Sequence, residues 1–263
     1  MSKTMMNNEC NNNIKQKDIK DEIFKVAKKM NLHAIADYPS LINNSDSFET
    51  SLLKILNIEL NLKEERTISR KIKNADFPTI KTIDTFEFDK KRMPFLEKEE
   101  LLSLRSCEFI EKKQNCIMIG NSGMGKSHAA VGLSMDAIKN GYTVKFKRAS
   151  DIVDQMEEAH KNGTVTKYIK SLNSCHLLVV DELGYLNYDL SGASRLFQIF
   201  ASRYETKSTI VTTNLEFSRW IDFLGDQTMA TALIDRLVHL SVILNMSGDS
   251  YRLKQAREKG TIK

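Results

Sequence analysis

The chain carries Gly120-Asn121-Ser122-Gly123-Met124-Gly125-Lys126-Ser127, the full G-x-x-x-x-G-K-[ST] pattern. In such a loop the glycines let the backbone curl until several N–H groups point at phosphate oxygens. The apolar run Cys116-Ile117-Met118-Ile119 precedes it, and a helical pattern opens at Lys126. A helix start there adds partial positive charge. Lys126 is placed to reach the β- and γ-phosphates of a nucleoside triphosphate, and the Ser127 hydroxyl to ligate Mg²⁺. His128 closes the binding stretch, in a packing or capping role rather than a catalytic one.

Further along, His176-Leu177-Leu178-Val179-Val180 is an apolar run that ends in Asp181-Glu182. Parallel strands present their C-terminal ends to one crevice. Asp181 would face the Mg²⁺ of the loop, and Glu182 would polarise a water for attack on the γ-phosphate. Ser208–Thr213 is another strand, and its end places Asn214 where it can orient that water. Arg236, in Leu233-Ile234-Asp235-Arg236-Leu237, follows on a helix. It either reaches a neighbouring subunit's nucleotide and stabilises charge on the γ-phosphoryl group, or serves as a surface or intrahelical arginine. Arg252, in Gly248-Asp249-Ser250-Tyr251-Arg252, is a candidate γ-phosphate contact within its own subunit.

These groups need a scaffold of alternating strands and helices. Strands are expected at 116–119, 142–147, 176–180 and 209–212. Helices are expected at 126–140, 151–159, 166–172 and 193–204. That alternation predicts an α/β fold, a mostly parallel sheet with helices on both faces. Upstream the texture is helical. Ile19, Ile23, Val26, Ala27 and Met30 recur at three and four, and Phe48, Leu52, Leu53, Leu56 and Leu60 mark a second helix. Pro78 should end it. The expected organisation is a tail at 1–14, a helical domain at 15–78, a linker at 79–94 and an ATPase-like domain at 95–263. Only 27 residues follow Arg236, too few for a full helical lid.

The 263 residues, 41% hydrophobic and 28% charged, exclude a collagen-like or wholly disordered chain. No apolar run approaches the roughly 18 residues of a membrane span. The opening residues are polar and lack the core of a secretory signal. Cys10, Cys107, Cys116 and Cys175 are scattered, which suits reduced thiols in the cytoplasm rather than a metal cluster. The net charge of +5 permits nucleic-acid binding without requiring it. Arg66, Arg70 and Lys73 share a helix face by spacing, with Lys71 beside them. That face is either solvated or in contact with nucleic-acid phosphates.

Taken together, these motifs resemble the AAA+ ATPases, and within them the IstB-like family of insertion-sequence helper proteins. The resemblance rests on Asp181-Glu182-Leu183-Gly184-Tyr185-Leu186, Arg203-Tyr204-Glu205, Thr213-Asn214-Leu215 and Gly248–Arg252. It extends to Lys71–Pro78 and Asp84-Thr85-Phe86-Glu87-Phe88, and covers roughly residues 15–257. Replicative helicase loaders of the DnaC type share this ATPase core. Family members often carry Pro-x-Thr in the loop, where this chain has Ser122, Gly123 and Met124. The backbone cradle does not require those side chains.

The resemblance implies ATP and Mg²⁺ at Gly120–Ser127 and Asp181, catalysis by Glu182 and Asn214, an arginine finger in Arg236 and a second sensor in Arg252. It also implies a DNA channel lined by an extra helical insert. Here Ala149–Leu172 supplies two helices, with Arg148, Lys161, Lys167 and Lys170 on or beside them, either in contact with DNA phosphates or on an ordinary solvated face. The implied function is assembly on double-stranded DNA with ATP, as a homo-oligomer that activates a partner transposase. The alternative is a helicase loader. A small-molecule kinase is disfavoured, because the Asp181-Glu182 pair suits water activation and nothing supplies an acceptor pocket. A scaffold that binds ATP but barely hydrolyses it is disfavoured by the intact Glu182 and Asn214.

Overall fold

The computed structural model describes residues 19–43, 45–248 and 250–251. The chain divides into two compact units after Ser69. Helices α1 (residues 19–29), α2 (His33–Ala36) and most of α3 (Phe48–Ala75) build the first. Inside it Glu59 is buried, and its carboxylate accepts the Ala34 N–H at 2.6 Å. The first-turn N–H groups of a helix lack intrahelical partners, so they are suited to a buried carboxylate.

The second unit is a five-stranded sheet in the order β2-β3-β4-β1-β5. Its strands are β1 (Asn115–Ile119), β2 (Val144–Arg148), β3 (Leu177–Leu183), β4 (Ser208–Thr213) and β5 (Ser241–Asn245). Every pairing is parallel. Parallel strands need crossover connections, and helices supply them. These are α6 (Lys126–Lys139), α7 (Ala149–Lys161), α8 (Val165–Asn173), α9 (Leu190–Arg203), α10 (Trp220–Leu224) and α11 (Gln227–Val238), while α4 (Lys98–Ser103) and α5 (Glu108–Glu111) precede β1. Ile117, Leu178, Val180 and Val211 point to the core shared with α7 to α11. By strand alternation Cys116, Met118 and Val179 point to the opposite face, where α6 crosses the sheet. Helix α9 begins at Leu190, earlier than the expected Ala193, because the Asp189 side chain accepts the Gly192 N–H at 2.7 Å.

Two features lock the strands that carry the site. Arg203 is 1% exposed, and its guanidinium donates to the carbonyls of Leu172 (2.9 Å), His176 (3.3 Å) and Ser208 (2.7 Å). It joins the end of α8 to the starts of β3 and β4. Burial pushes its pKa down, with Cys175 opposing. Trp220 is fully buried, and its indole N–H donates to the Leu215 carbonyl just beyond β4 at 3.4 Å.

The 79–94 stretch, expected as a linker, packs into the second unit, which begins at Arg70. Ile83, Phe86 and Met93 are buried there. Ile83 lies against Gly132 of α6, and Arg105 bridges Asp84 and Asp136 at 2.8 Å each. The surrounding charges hid these three apolar anchors. Among the described residues no helix is long and apolar enough to cross a membrane.

Candidate functional site

The loop from Gly120 to Ser127 joins β1 to α6 at the C-terminal end of the sheet. The Gly120 N–H donates to the Thr213 carbonyl of β4 at 3.2 Å. Gly125 has φ +92°, and a Cβ there would lie 2.9 Å from the Phe86 ring. Both the left-handed backbone and the close ring exclude a side chain. The Lys126 ammonium donates to the carbonyls of Gly120 (2.6 Å) and Asn121 (2.9 Å), which holds it over the loop.

Asp181 on β3 is 4% exposed. The Ser127 hydroxyl donates to its two oxygens at 2.8 and 3.0 Å. Thr212 of β4 donates to the same carboxylate. Thr212 also accepts the Glu182 N–H at 3.0 Å. Glu182 sits at φ +59°, an unusual place for a non-glycine residue, where the register of β3 against β4 shifts. Strict alternation would send neighbouring side chains to opposite faces. The kink instead brings Glu182 to the cavity beside Asp181. The Arg148 Nε at the end of β2 lies 3.7 Å from the Glu182 carboxylate.

A cavity of about 560 Å³ opens on the phosphate loop, Glu182 and Thr212, with Asp181 outside its lining and bonded to Ser127. Lys126, Ser127, Glu182 and Asn214 line one part of it. Phe86, Glu87, Arg92 and Tyr251 line another. The His128 ring bonds the Thr82 carbonyl (2.9 Å) and the Thr85 hydroxyl (3.2 Å), which fastens that second wall to α6. Thr212 is the main functional side chain that motif reading passed over. Its signal was a polar Thr212-Thr213 pair ending a buried strand.

Arg236 is not among the residues lining this cavity. It lies on α11, donates to the Ala232 carbonyl at 2.9 Å and stacks over the Phe197 ring. Arg252 lies outside the described residues, as do Cys10 and the 1–14 tail. Cys107, Cys116 and Cys175 are buried, unbridged thiols. Of the basic candidates, Arg66 is on α3 in the first unit, and Arg70 and Lys73 are on the part of α3 in the second. Lys161 pairs with Glu157 at 2.7 Å, while Lys167 and Lys170 are exposed on α8.

An arrangement of curled loop, lysine, hydroxyl and buried carboxylate binds a nucleoside triphosphate. Comparison with known proteins agrees. An ATP-binding protein of insertion sequence IS5376 from Geobacillus stearothermophilus is 38% identical over 224 residues, 85% of this chain and 88% of its own length. The ATP-binding protein of insertion sequence IS21 from Pseudomonas aeruginosa is 32% identical, across 82% of this chain and 81% of its own. AMPPCP-bound DnaA from Aquifex aeolicus matches at TM-score 0.52 and 23% identity, over 71% of this chain and 56% of that one. DnaI matches at TM-score 0.53 and 12% identity, over 63% and 90%. Those two likenesses carry the fold alone, a parallel P-loop sheet flanked by helices. The family model described as IstB-like ATP binding protein matches residues 26–259, a span that takes in the phosphate loop, Asp181-Glu182 and Asn214. With the motif geometry and the insertion-sequence relatives in accord, the chain belongs to the IstB-like ATP-binding protein family.

Proposed function

We propose that this protein hydrolyses ATP while assembled on double-stranded DNA, and in that state assists a partner transposase. The observation that carries the hydrolytic part is the convergence of Lys126, Ser127, Glu182 and Asn214 on one cavity, with Asp181 bonded to Ser127 behind it. The transposition part is supported by the insertion-sequence relatives.

The loop N–H groups and Lys126 bind the triphosphate. Ser127 and Asp181 offer adjacent oxygen donors beside the phosphate loop, which fits Mg²⁺. When bound, that ion neutralises charge on the phosphate oxygens. Glu182 accepts the proton of the attacking water, and Asn214 orients that water. Arg236 of a second copy approaches the terminal phosphate. Arg66, Arg70, Lys73, Lys167 and Lys170 contact DNA phosphates, with Lys161 and Arg148 available once released from their carboxylate partners.

The test is steady-state ATP turnover with and without DNA, alongside sizing of the same samples. DNA-stimulated turnover and ATP-dependent large assemblies are expected. Glu182→Gln should keep ATP binding and lose turnover by about a hundredfold or more, as removal of a general base does. Unchanged turnover in Glu182→Gln with DNA present refutes the base assignment. A persistent monomer refutes the role of Arg236.

A further inference from the structure

The strand order gives the nucleotide cavity a direction. Glu182 ends β3, Asn214 follows β4, the phosphate loop follows β1, and Gly248 and Tyr251 follow β5. Three strand spacings of about 4.8 Å separate β3 from β5, about 14 Å in all. A triphosphate on Lys126 and Ser127 has its terminal phosphate toward Glu182. Its nucleoside must then extend toward the β5 side.

That side is built by two segments that meet. The Asn121 side-chain amide donates to the Gly248 carbonyl at 3.1 Å, and the Tyr251 N–H donates to the Gly123 carbonyl at 3.0 Å. Residues after β5 are thereby strapped to the phosphate loop itself. The Tyr251 hydroxyl then donates to Glu87 at 2.9 Å, and the Arg92 guanidinium stacks on the Tyr251 ring at 4.8 Å. Glu87, Arg92 and Tyr251 all line the nucleotide cavity.

A carboxylate is misplaced beside a polyanion, so Glu87 cannot serve the phosphates. It only accepts hydrogen bonds, and Tyr251 occupies one of its several lone-pair sites. The donors that a nucleoside triphosphate offers away from its phosphates are sugar hydroxyls and the amine of the base. We infer that Glu87, aimed by Tyr251 and Arg92, is the nucleoside-end acceptor of this site, receiving a hydrogen bond from a sugar hydroxyl or the base amine. The strap after β5 thus completes the nucleotide site. This inference rests on the ATP site described above.

The test is calorimetric titration of the full chain with ATP, 2′-deoxy-ATP and tripolyphosphate. The variants are Glu87→Gln and Tyr251→Phe, both close in shape to the native residues. Each should weaken ATP by about tenfold, the loss of one hydrogen bond to a charged group, and leave tripolyphosphate unchanged. If wild type prefers ATP to 2′-deoxy-ATP and Glu87→Gln does not, the 2′-hydroxyl is the donor. If both nucleotides bind wild type alike and both weaken in the variant, the donor is another sugar hydroxyl or the base amine. Either result supports the assignment. Equal weakening of tripolyphosphate would overturn it, because the strap would then only shape the phosphate loop. Unchanged ATP affinity in both variants would also overturn it. Wild type binding tripolyphosphate as tightly as ATP removes the nucleoside site and leaves the phosphate site standing. Wild type binding neither removes both.

Discussion

Replacing Arg148 with alanine should raise basal ATP turnover and reduce its stimulation by DNA. Arg148 Nε lies 3.7 Å from the Glu182 carboxylate, with the two side chains 55% and 49% exposed. In this position the Glu182 carboxylate lines the cavity with a cation at the end of β2 beside it, and that pairing competes with its use as a base. Water screens a pair this exposed, so it is worth about 0.2–1 kcal/mol. At 1.36 kcal/mol per tenfold, that is a factor of about 1.4 to 5 in the population of released Glu182. Basal turnover in Arg148→Ala should rise by the same factor. On the proposed DNA-bound assembly, DNA phosphates would compete for Arg148, so the variant should lose that part of the stimulation and keep the remainder. Salt offers a second readout, because it screens exposed pairs. At concentrations that leave assembly intact, salt should raise wild-type turnover more than variant turnover. The assay is steady-state phosphate release at low and moderate salt, with and without DNA. Unchanged basal turnover in Arg148→Ala at low salt refutes the restraint. A tenfold fall would mean that Arg148 acts on the substrate instead.

Thr212→Val should lower turnover by about tenfold or more while changing ATP affinity less. It removes the hydroxyl that donates to Asp181 and accepts the Glu182 N–H at 3.0 Å. Turnover and affinity measured on one preparation check this, and equal losses in both would count against it. Gly248→Ala should lower the melting temperature by at least about 4 °C, since about 2 kcal/mol in a unit of this size shifts it that far. A Cβ there would lie 1.7 Å from the Arg92 carbonyl, on a backbone at φ +149°. A drop below about 1 °C refutes the close packing of the strap. Burial pushes the Cys107 thiol up to about 11 and the Cys116 thiol up to about 12. Alkylation of both at pH 8 should therefore wait on unfolding. A raised thiol pKa favours the folded state below the unfolded value near 9, and that contribution fades as pH climbs toward 11 and 12. Denaturation midpoints at pH 8 and 10.5 should fall in that order, and equal midpoints would show the thiols to be accessible.

The phosphate loop and its strand were legible because their requirements are local. Gly120, Gly125, Lys126 and Ser127 must occur at fixed spacing for backbone N–H groups to converge, and an apolar strand must precede them. Asp181 was legible for a similar reason, since a buried parallel strand reads as an apolar run and its first carboxylate marks the crevice. Residues whose roles depend on pairing distant in sequence were not legible. Thr212 earns its place only once β4 lies against β3. Tyr251 and Glu87 are 164 positions apart, and nothing in either segment names the other. The 79–94 stretch misled for a different reason. Ile83, Phe86 and Met93 anchor it, but Lys90, Lys91 and Arg92 give it the composition of a linker. A stretch with one apolar anchor every few residues has no period to detect, whatever it packs against.

The kink at Glu182 shows why Asp181 and Glu182 can divide their work. Two acids in succession on a regular strand would face opposite sides of the sheet, and one would be lost to the site. The left-handed backbone at φ +59° costs of order 1 kcal/mol or more, and it persists only where neighbours enforce it. Here the enforcement is visible, because Thr212 accepts the strained residue's own N–H while donating to Asp181. One hydroxyl therefore fixes both acids. Asp181 stays buried against Ser127, suited to hold a cation. Glu182 stays half-exposed in the cavity, within reach of water and of Arg148. A buried carboxylate bonded by two hydroxyls is poorly placed to take a proton from bulk-exchanging water, and a half-exposed one is well placed. The proposed division of roles thus rests on burial and backbone geometry, not on the identity of the two acids.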